Sequence, residues 1–523
     1  MLKNKSEPHW DFYAVTILVS FSVLQIVHWP LLPLFMDIYY HLHTAWGFIQ
    51  AGGYSGWDFW QYAPVGRPHI YPPFFHIILA FLLKLGINKI ILAKCLEMVM
   101  PILFLNTLWF FIRRHFGERL AALVLVMLSS SFSAYLSLIN HLPATLALVF
   151  GILAIDQLFN GKLWRSALLL ALGFYTHIAV SWFFAIALIL LALFDARNRK
   201  LGFKIVLIAL VLSLPILLRQ LAVLRFVLSF DLREKYFCEF KTIDYLLALA
   251  GAGICWRLKG KYLLFLSLFL AGFLFLTHPY RFFSAEGFFP IVFLSAVSLN
   301  QVYENSKKQK VWVRSLPPAI IIFVLLFSPT LLMEKQEGAD RISFKIYTFD
   351  SVLVDMLFPE HNKRITSSTL WYPKEYLWAV NLIQQNSTNH EIIYTTLPNV
   401  GVALAALSER ATANALLPDI APARLTNPLL AAKIIILLKD DNLDKTLELI
   451  NKNHLVKIGE NKIFMLYLNP VAAANMEVKR AAVPFWIILL IGTAAVFLFW
   501  RHRSVECKAK SAKLDTRGAI PNK

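Results

Sequence analysis

Residues 164–194 read WRSALLLALGFYTHIAVSWFFAIALILLALF, 31 residues in which Arg165 is the only Lys, Arg, Asp or Glu. A helix needs about 20 residues to cross the hydrocarbon core of a bilayer. The run is therefore read as two short spans, 164–176 and 178–194, that turn at Thr176-His177. Similar apolar runs cover 12–34, 89–112, 119–138, 142–159, 202–222, 243–256, 262–277, 284–300, 311–333 and 482–500. Together they predict a mainly α fold, a polytopic transmembrane helical bundle of about 12 spans.

Composition leads to the same class. Of 523 residues, 58% are hydrophobic and 16% charged, and mean hydropathy is +0.59. Soluble domains carry about a quarter charged residues. Disorder, a collagen-like chain and a disulfide scaffold are excluded. Lys and Arg number 51 against 32 Asp and Glu, a net charge of +19. In a soluble protein that excess would suggest nucleic acid. Here the basic residues sit in short loops between apolar runs, the signature of cytoplasmic loops, and no nucleic-acid partner is expected. Cys95, Cys238, Cys255 and Cys507 fall in separate segments without CxxC or CxxH spacing, so they define neither a disulfide framework nor a zinc site. There is no Walker A or GxGxxG motif to support nucleotide binding. The N-terminus begins basic, but its apolar part is too long for a cleaved signal and is read as a retained first span.

Placing the N-terminus inside puts Arg113–Arg119, Lys162–Arg165, Arg197–Lys200, Arg257–Lys261, Lys307–Lys310 and the tail from Arg501 all on the cytoplasmic side. The loops near Asn140-His141 and His177 carry no Lys or Arg, although the loop 219–241 interrupts the alternation with several basic residues. Two large segments then lie outside. Segment 35–88 contains an apolar stretch, Pro72–Leu85, too short to cross and expected along the membrane surface. Segment 334–480 has a soluble composition. Within it Glu375–Gln385 and Asp444–Asn453 read as helices, and Glu391–Thr395, Leu455–Ile458 and Lys462–Leu468 as strands. The expected organisation is thus a transmembrane domain 1–333, an extracytoplasmic α/β domain 334–480, and a final helix with a basic tail, 481–523. The protein is expected in the plasma (inner) membrane, with both termini cytoplasmic.

The candidate chemistry gathers at the outer face. Met36-Asp37-Ile38-Tyr39-Tyr40-His41-Leu42-His43 sets a carboxylate at the exit of the first span, where a charge against an apolar helix end is costly unless used. The same loop continues through Asp58 to Gly66-Arg67-Pro68-His69-Ile70-Tyr71-Pro72-Pro73-Phe74-Phe75-His76, and a connection of this length is usually functional. Asn140-His141, Thr176-His177 and Thr277-His278-Pro279-Tyr280-Arg281-Phe282-Phe283, with Glu286 behind, reach the same side. Eight histidines, His28, His41, His43, His69, His76, His141, His177 and His278, fall at or near this face out of 14 in the chain. No two of them form an i, i+4 helical ligand pair with a carboxylate, so a metal site is not legible from spacing.

The Asp37-x-Tyr39-Tyr40-His41 motif at the start of a large first outer loop resembles the membrane glycosyltransferases of the C-type superfold, in particular the catalytic subunit of oligosaccharyltransferases and its prokaryotic relatives. The order of parts is similar: a second span ending in Arg113-Arg114-x-x-Gly117-Glu118-Arg119, a third rich in small residues, then a second outer loop and a soluble domain. The resemblance implies that Asp37 is the catalytic carboxylate and that Arg281, helped by His278, binds the donor phosphate. His41, Asp58, His141, His177 and Glu286 are secondary candidates. It further implies a polyprenyl-phosphate-linked sugar donor, a protein, lipid or glycan acceptor, contact with membrane lipids, and a divalent metal (Mg or Mn) as a possible cofactor. The chain departs from the family in the second outer loop, where Ser137–Leu142 holds no carboxylate, and in having no Trp-Trp-Asp motif. A transporter or flippase for a lipid-linked or amphiphilic solute is the alternative reading. It would be expected to place polar groups near the bilayer midplane rather than at one face.

Overall fold

The computed structural model describes residues 9–224, 236–276, 278–306, 329–335, 342–347, 372–416, 431–439, 450–472 and 474–488, with isolated positions between them. In chain order the helices are α1 (Trp10–Val27), α2 (Asp37–Ala51), α3 (Phe74–Lys84), α4 (Lys89–Phe116), α5 (Glu118–Ser129), α6 (Phe132–Asn140) and α7 (Leu142–Phe159). They continue with α8 (Leu163–Thr176), α9 (Ile178–Phe194), α10 (Arg199–Leu212), α11 (Leu214–Leu224), α12 (Thr242–Leu258), α13 (Leu263–Gly272), α14 (Pro279–Phe283) and α15 (Phe288–Ser306).

The protein is a multi-pass membrane protein. Among the described residues, four helices are long and apolar enough to cross a membrane, and up to six spans result if each bent pair counts as one. The difference from about 12 has physical causes. Several apolar runs fold as shorter helices, among them Ile178–Phe194 and Gly260–Phe275. Others are broken: α5 and α6 meet at 86°, and α10 and α11 at 64°. At the first bend Ser131 leaves the helix and its hydroxyl caps Ala134 N at 3.3 Å. At the second, Pro215 has no amide proton to continue the ladder. The Trp164–Phe194 run does divide at His177, which ends α8 and caps α9.

Bundle packing relies on small residues, as expected where lipid and side chains are equally apolar. Gly251 of α12 lies so near α15 that a Cβ would collide with the Leu294 carbonyl. Ser295 and Ser298 hydroxyls donate across the same seam to the carbonyls of Asp244 and Leu247, each at 2.6 Å.

The run 311–333 was expected to be helical throughout. Its last residues instead open a strand, Thr330–Lys335, which crosses the boundary expected at 333/334. That strand pairs antiparallel with Tyr236–Phe240 on one side and Ile342–Tyr347 on the other. Residues 311–319 and 489–500, and so most of the expected last two spans, lie outside the described residues.

Among the described residues, segment 372–488 contributes the helices Pro373–Asn386 and Pro398–Ser408 and a five-stranded mixed sheet. Its order runs Val456–Glu460, Phe464–Leu468, Ile434–Leu438, Ile392–Thr395, Ala411–Thr412. The first three strands are antiparallel and the last three parallel, with Phe464 opposite Leu438 and Ile393 opposite Ile434. Half of the expected helix 444–453 lies outside the described residues, and of the rest Glu448 and residues 450–452 are helical.

The first loop docks directly on this sheet. Thr412 N donates to Trp60 O at 2.9 Å, and Ala63 N donates to Thr412 O at 3.0 Å, so residues 60–63 extend the edge strand. Gly53 and Tyr54 pair with Pro484 and Val483. Gly47 on α2 carries no Cβ because the Trp60 ring occupies that space. Loop 35–88 is consequently a packed layer between bundle and sheet, with the apolar stretch Phe74–Lys84 held against α2 rather than lying alone.

Candidate active site

Asp37 is the first residue of α2, where the unpaired amides of a helix start favour a carboxylate. Burial opposes ionisation and pushes its carboxyl up to about 6. The helix then buries Tyr40, His41 and Thr44 along one face. His41 Nδ1 lies 2.9 Å from His76 Nε2, at the start of α3, so the two rings share a hydrogen bond. Burial drives the His41 imidazole down to about 3 and His76 well below the ordinary value, and both are neutral at pH 7.

Tyr71, which sequence reasoning did not single out, is the hub. Its ring centroid is 5.5 Å from His41, 5.7 Å from Tyr40, 5.8 Å from His76 and 6.4 Å from His177. Burial raises its hydroxyl, which also feels the charges of Arg281, Asp37, Glu286 and Arg67. Asp37 and Arg281 thus both lie near the Tyr71 hydroxyl although they are far apart in sequence.

Opposite Tyr71, the chain turns at His141 and His177 bring two more imidazoles in. His177 Nδ1 lies 3.3 Å from Val180 N. Its Nε2 lies 3.4 Å from Arg281 Nη1. A guanidinium can only donate, so this contact uses one Arg281 N–H on the ring and leaves the others to suit an anionic oxygen. Burial, then the charge of Arg281, holds His177 well below its usual value, and the same causes lower His141 to about 4. Arg281 Nη1 is also 3.4 Å from Glu286 Oε1, and Glu286 is only 1% exposed. Neither Glu286 oxygen, nor His141 Nδ1, nor Asn140 Oδ1 has a hydrogen-bond partner among the described residues. Buried polar atoms are almost always paired, so this concentration marks a place built for a polar ligand.

The remaining candidates fall differently. His278 stands at the N-terminus of the short helix α14 and feels the charges of Arg281 and Glu286, while His177 Nε2 lies 3.4 Å from the Arg281 guanidinium. Asp58 is fully buried and committed: Oδ2 takes Arg67 Nε at 3.3 Å, and Oδ1 takes His69 Nδ1 at 2.6 Å. Arg67 continues to Gln61 Oε1 at 2.6 Å and Leu416 O at 2.9 Å, so this group ties the loop to the sheet edge. His43 turns away from the site, with Nε2 2.9 Å from the Arg410 carbonyl oxygen.

Glu97 of α4 is the carboxylate that the sequence concealed, inside an apolar run read as a span. It is fully buried and accepts from Leu34 N at 2.7 Å and Phe35 N at 3.4 Å, clamping the two residues that lead toward Asp37. Among the described residues no three His, Cys, Asp or Glu side chains converge as a metal ion would require. The donor set for Mg or Mn is thus not met by these side chains.

No family model and no curated protein matches the chain. Solved structures do. The archaeal oligosaccharyltransferase AglB from Archaeoglobus fulgidus, in complex with an inhibitory peptide and a dolichol-phosphate, superposes at a TM-score of 0.54 and 11% identity, covering 88% of this chain and 75% of that one. The same enzyme complexed with Zn and sulfate gives 0.53 and 10%, covering 87% and 73%. The chain has the C-type membrane glycosyltransferase fold. ArnT from Cupriavidus metallidurans bound to undecaprenyl phosphate is also matched, at 0.45 and 12%, covering 83% of this chain and 98% of that one. Within this C-type fold the histidine-rich cluster lies at the end of the bundle covered by loop 35–88 and by the sheet.

Proposed function

We propose that the protein is a membrane glycosyltransferase that moves a sugar or glycan from a polyprenyl-phosphate-linked donor to an acceptor on the extracytoplasmic side. The observation that carries the reading is the placement, about Tyr71, of a carboxyl pushed up to about 6 and of a guanidinium set against a neutral imidazole. A base and an anion-binding guanidinium are what glycosyl transfer from a lipid phosphate needs. AglB, which shares the architecture, has been solved in complex with a dolichol-phosphate, in keeping with such a donor.

In this mechanism the acceptor's nucleophilic oxygen or nitrogen attacks the anomeric carbon, and the bond from that carbon to the donor phosphate oxygen breaks. The acceptor proton passes to Asp37, and the electron pair leaves with the lipid phosphate. One displacement gives inversion. Arg281 holds the departing phosphate, with His177 and His278 beside it. A guanidinium has five N–H groups, so contact with Glu286 through Nη1 leaves donors for phosphate. Glu286 keeps the guanidinium aimed, while the sheet domain and loop 35–88 exclude water and guide the acceptor. With Arg113–Arg119 and the other basic loops cytoplasmic, the donor reaches the site from the outer leaflet. The test is transfer of label from polyprenyl-phosphate sugar by purified protein, with Asp37→Asn and Arg281→Ala as paired losses.

A further inference from the structure

The end of the bundle opposite the histidine cluster holds a cavity of about 580 Å³. Helix α7 begins beside His141 and ends at Phe159, and α9 begins beside His177 and ends before Asp195, so about 25 Å of helix separates the two ends. The cavity is walled by the end of α4, the α9–α10 turn and the α12–α13 turn, which contribute Arg114, His115, Arg197, Lys259 and Lys261 along with Asp195.

Some of these groups are already engaged. Arg114 and His115 meet Asp156 at 3.4 and 2.7 Å, and Lys261 donates to the His115 carbonyl. Asp195 is taken by Asn198 Nδ2 at 2.9 Å and by the Arg197 amide at 3.1 Å. Among the described residues, the Arg197 and Lys259 side chains have no ion-pair partner. Beside them the surface is apolar. Trp256 and Leu258 are 56% and 50% exposed, and the Trp256 ring lies 6.2 Å from that of Phe194. A free phosphate would use the cations and ignore this ledge. An amphiphile with a phosphate head and acyl chains uses both.

We propose that this cavity seats the phosphodiester headgroup of an anionic membrane lipid, with Arg197 and Lys259 on the phosphate and the Trp256–Phe194 pair against the first part of the chains. Basic pockets between spans on the cytoplasmic side commonly take such heads. The lipid bridges the α9–α10 and α12–α13 turns, so its binding stabilises the bundle. The inference is independent of whether the far end transfers sugar.

The test uses the full-length protein, delipidated in zwitterionic detergent and titrated with phosphatidylglycerol, phosphatidylcholine or inorganic phosphate. Native mass spectrometry reads retained lipid, and thermal melting reads stabilisation. The variant is Arg197→Gln with Lys259→Gln, which removes both charges and keeps unbranched side chains. Wild type should retain phosphatidylglycerol and melt higher with it, and the variant should bind it roughly 30-fold more weakly. Lys200→Gln with Lys204→Gln, on the same basic face but outside the cavity, should bind as wild type does. Equal retention by the cavity variant, equal retention of phosphatidylcholine, or equal protection by inorganic phosphate alone would each overturn the proposal. Should the cavity variant melt lower without lipid, Arg197→Lys replaces it and should restore retention, and failure to do so also counts against the proposal.

Discussion

Replacing Asp37 with Asn keeps the shape of the side chain and removes its charge and basicity. The carboxyl sits at about 6 because burial outweighs the helix start. At pH 7 about nine-tenths of it is ionised, and below pH 6 the base form falls about tenfold per unit. Wild-type turnover should therefore have an acid limb centred near pH 6, well above the range of an ordinary aspartate. Asp37→Asn should lower turnover by about 10²–10⁴-fold and abolish that limb. Stability should move the other way. A carboxyl whose folded value is raised contributes stability at low pH that is lost as pH rises through about 6, so the Asn protein should melt no lower than wild type at pH 7. The assay is transfer of radiolabelled sugar from polyprenyl-phosphate donor in nanodiscs across pH 4.5–8, with folding checked by thermal melting. A well-folded Asp37→Asn protein with full turnover, or with the acid limb intact, would refute the assignment and move the search to Glu286.

Arg281→Lys retains charge but loses the fork, and should cost about 1.5–3 kcal/mol in donor phosphate binding, roughly 10- to 100-fold, measured by competition with polyprenyl phosphate. Equal donor binding by Arg281→Ala and wild type would remove this role. Glu97→Ala strips the acceptor from the Leu34 and Phe35 amides, and should cost about 1–3 kcal/mol for each amide left unpaired, seen as a lower melting temperature together with reduced turnover. An impermeant label applied to intact cells should reach residues 334–480 and miss Lys508. Labelling of both, or of Lys508 alone, would contradict the orientation. Because no donor set converges among the described side chains, EDTA should leave turnover unchanged, while a loss restored by Mg or Mn would place ligands beyond them.

Length alone indicated the turn at Thr176-His177, because 31 apolar residues exceed one span. The histidines at that turn and at Asn140-His141 were visible because they interrupt apolar runs. What stayed hidden depends on contacts between distant segments. Glu97 reads as an anomaly in a span until the amides of Leu34 and Phe35 are found against it. Tyr71 looks like one more interfacial aromatic until four elements close around it. The bends at Ser130-Ser131 and Ser213 escape a hydropathy window, which measures composition and not direction. Thr330–Lys335 is a strand because it pairs with Tyr236–Phe240 and Ile342–Tyr347, and no local periodicity announces that. Asp58 illustrates the converse: its sequence context suggested reactivity, yet Arg67 and His69 fully engage it.

The central claim is tested most directly by placing the purified protein in sealed vesicles with radiolabelled polyprenyl-phosphate sugar from total lipid of its own source, together with that cell's envelope fraction as acceptor. The account predicts that label leaves the organic-soluble lipid for the acceptor and that free polyprenyl phosphate appears in equal amount, with wild type and not with Asp37→Asn. Label that crosses the bilayer while still attached to its lipid, with no polyprenyl phosphate released, would contradict the account and identify a transporter.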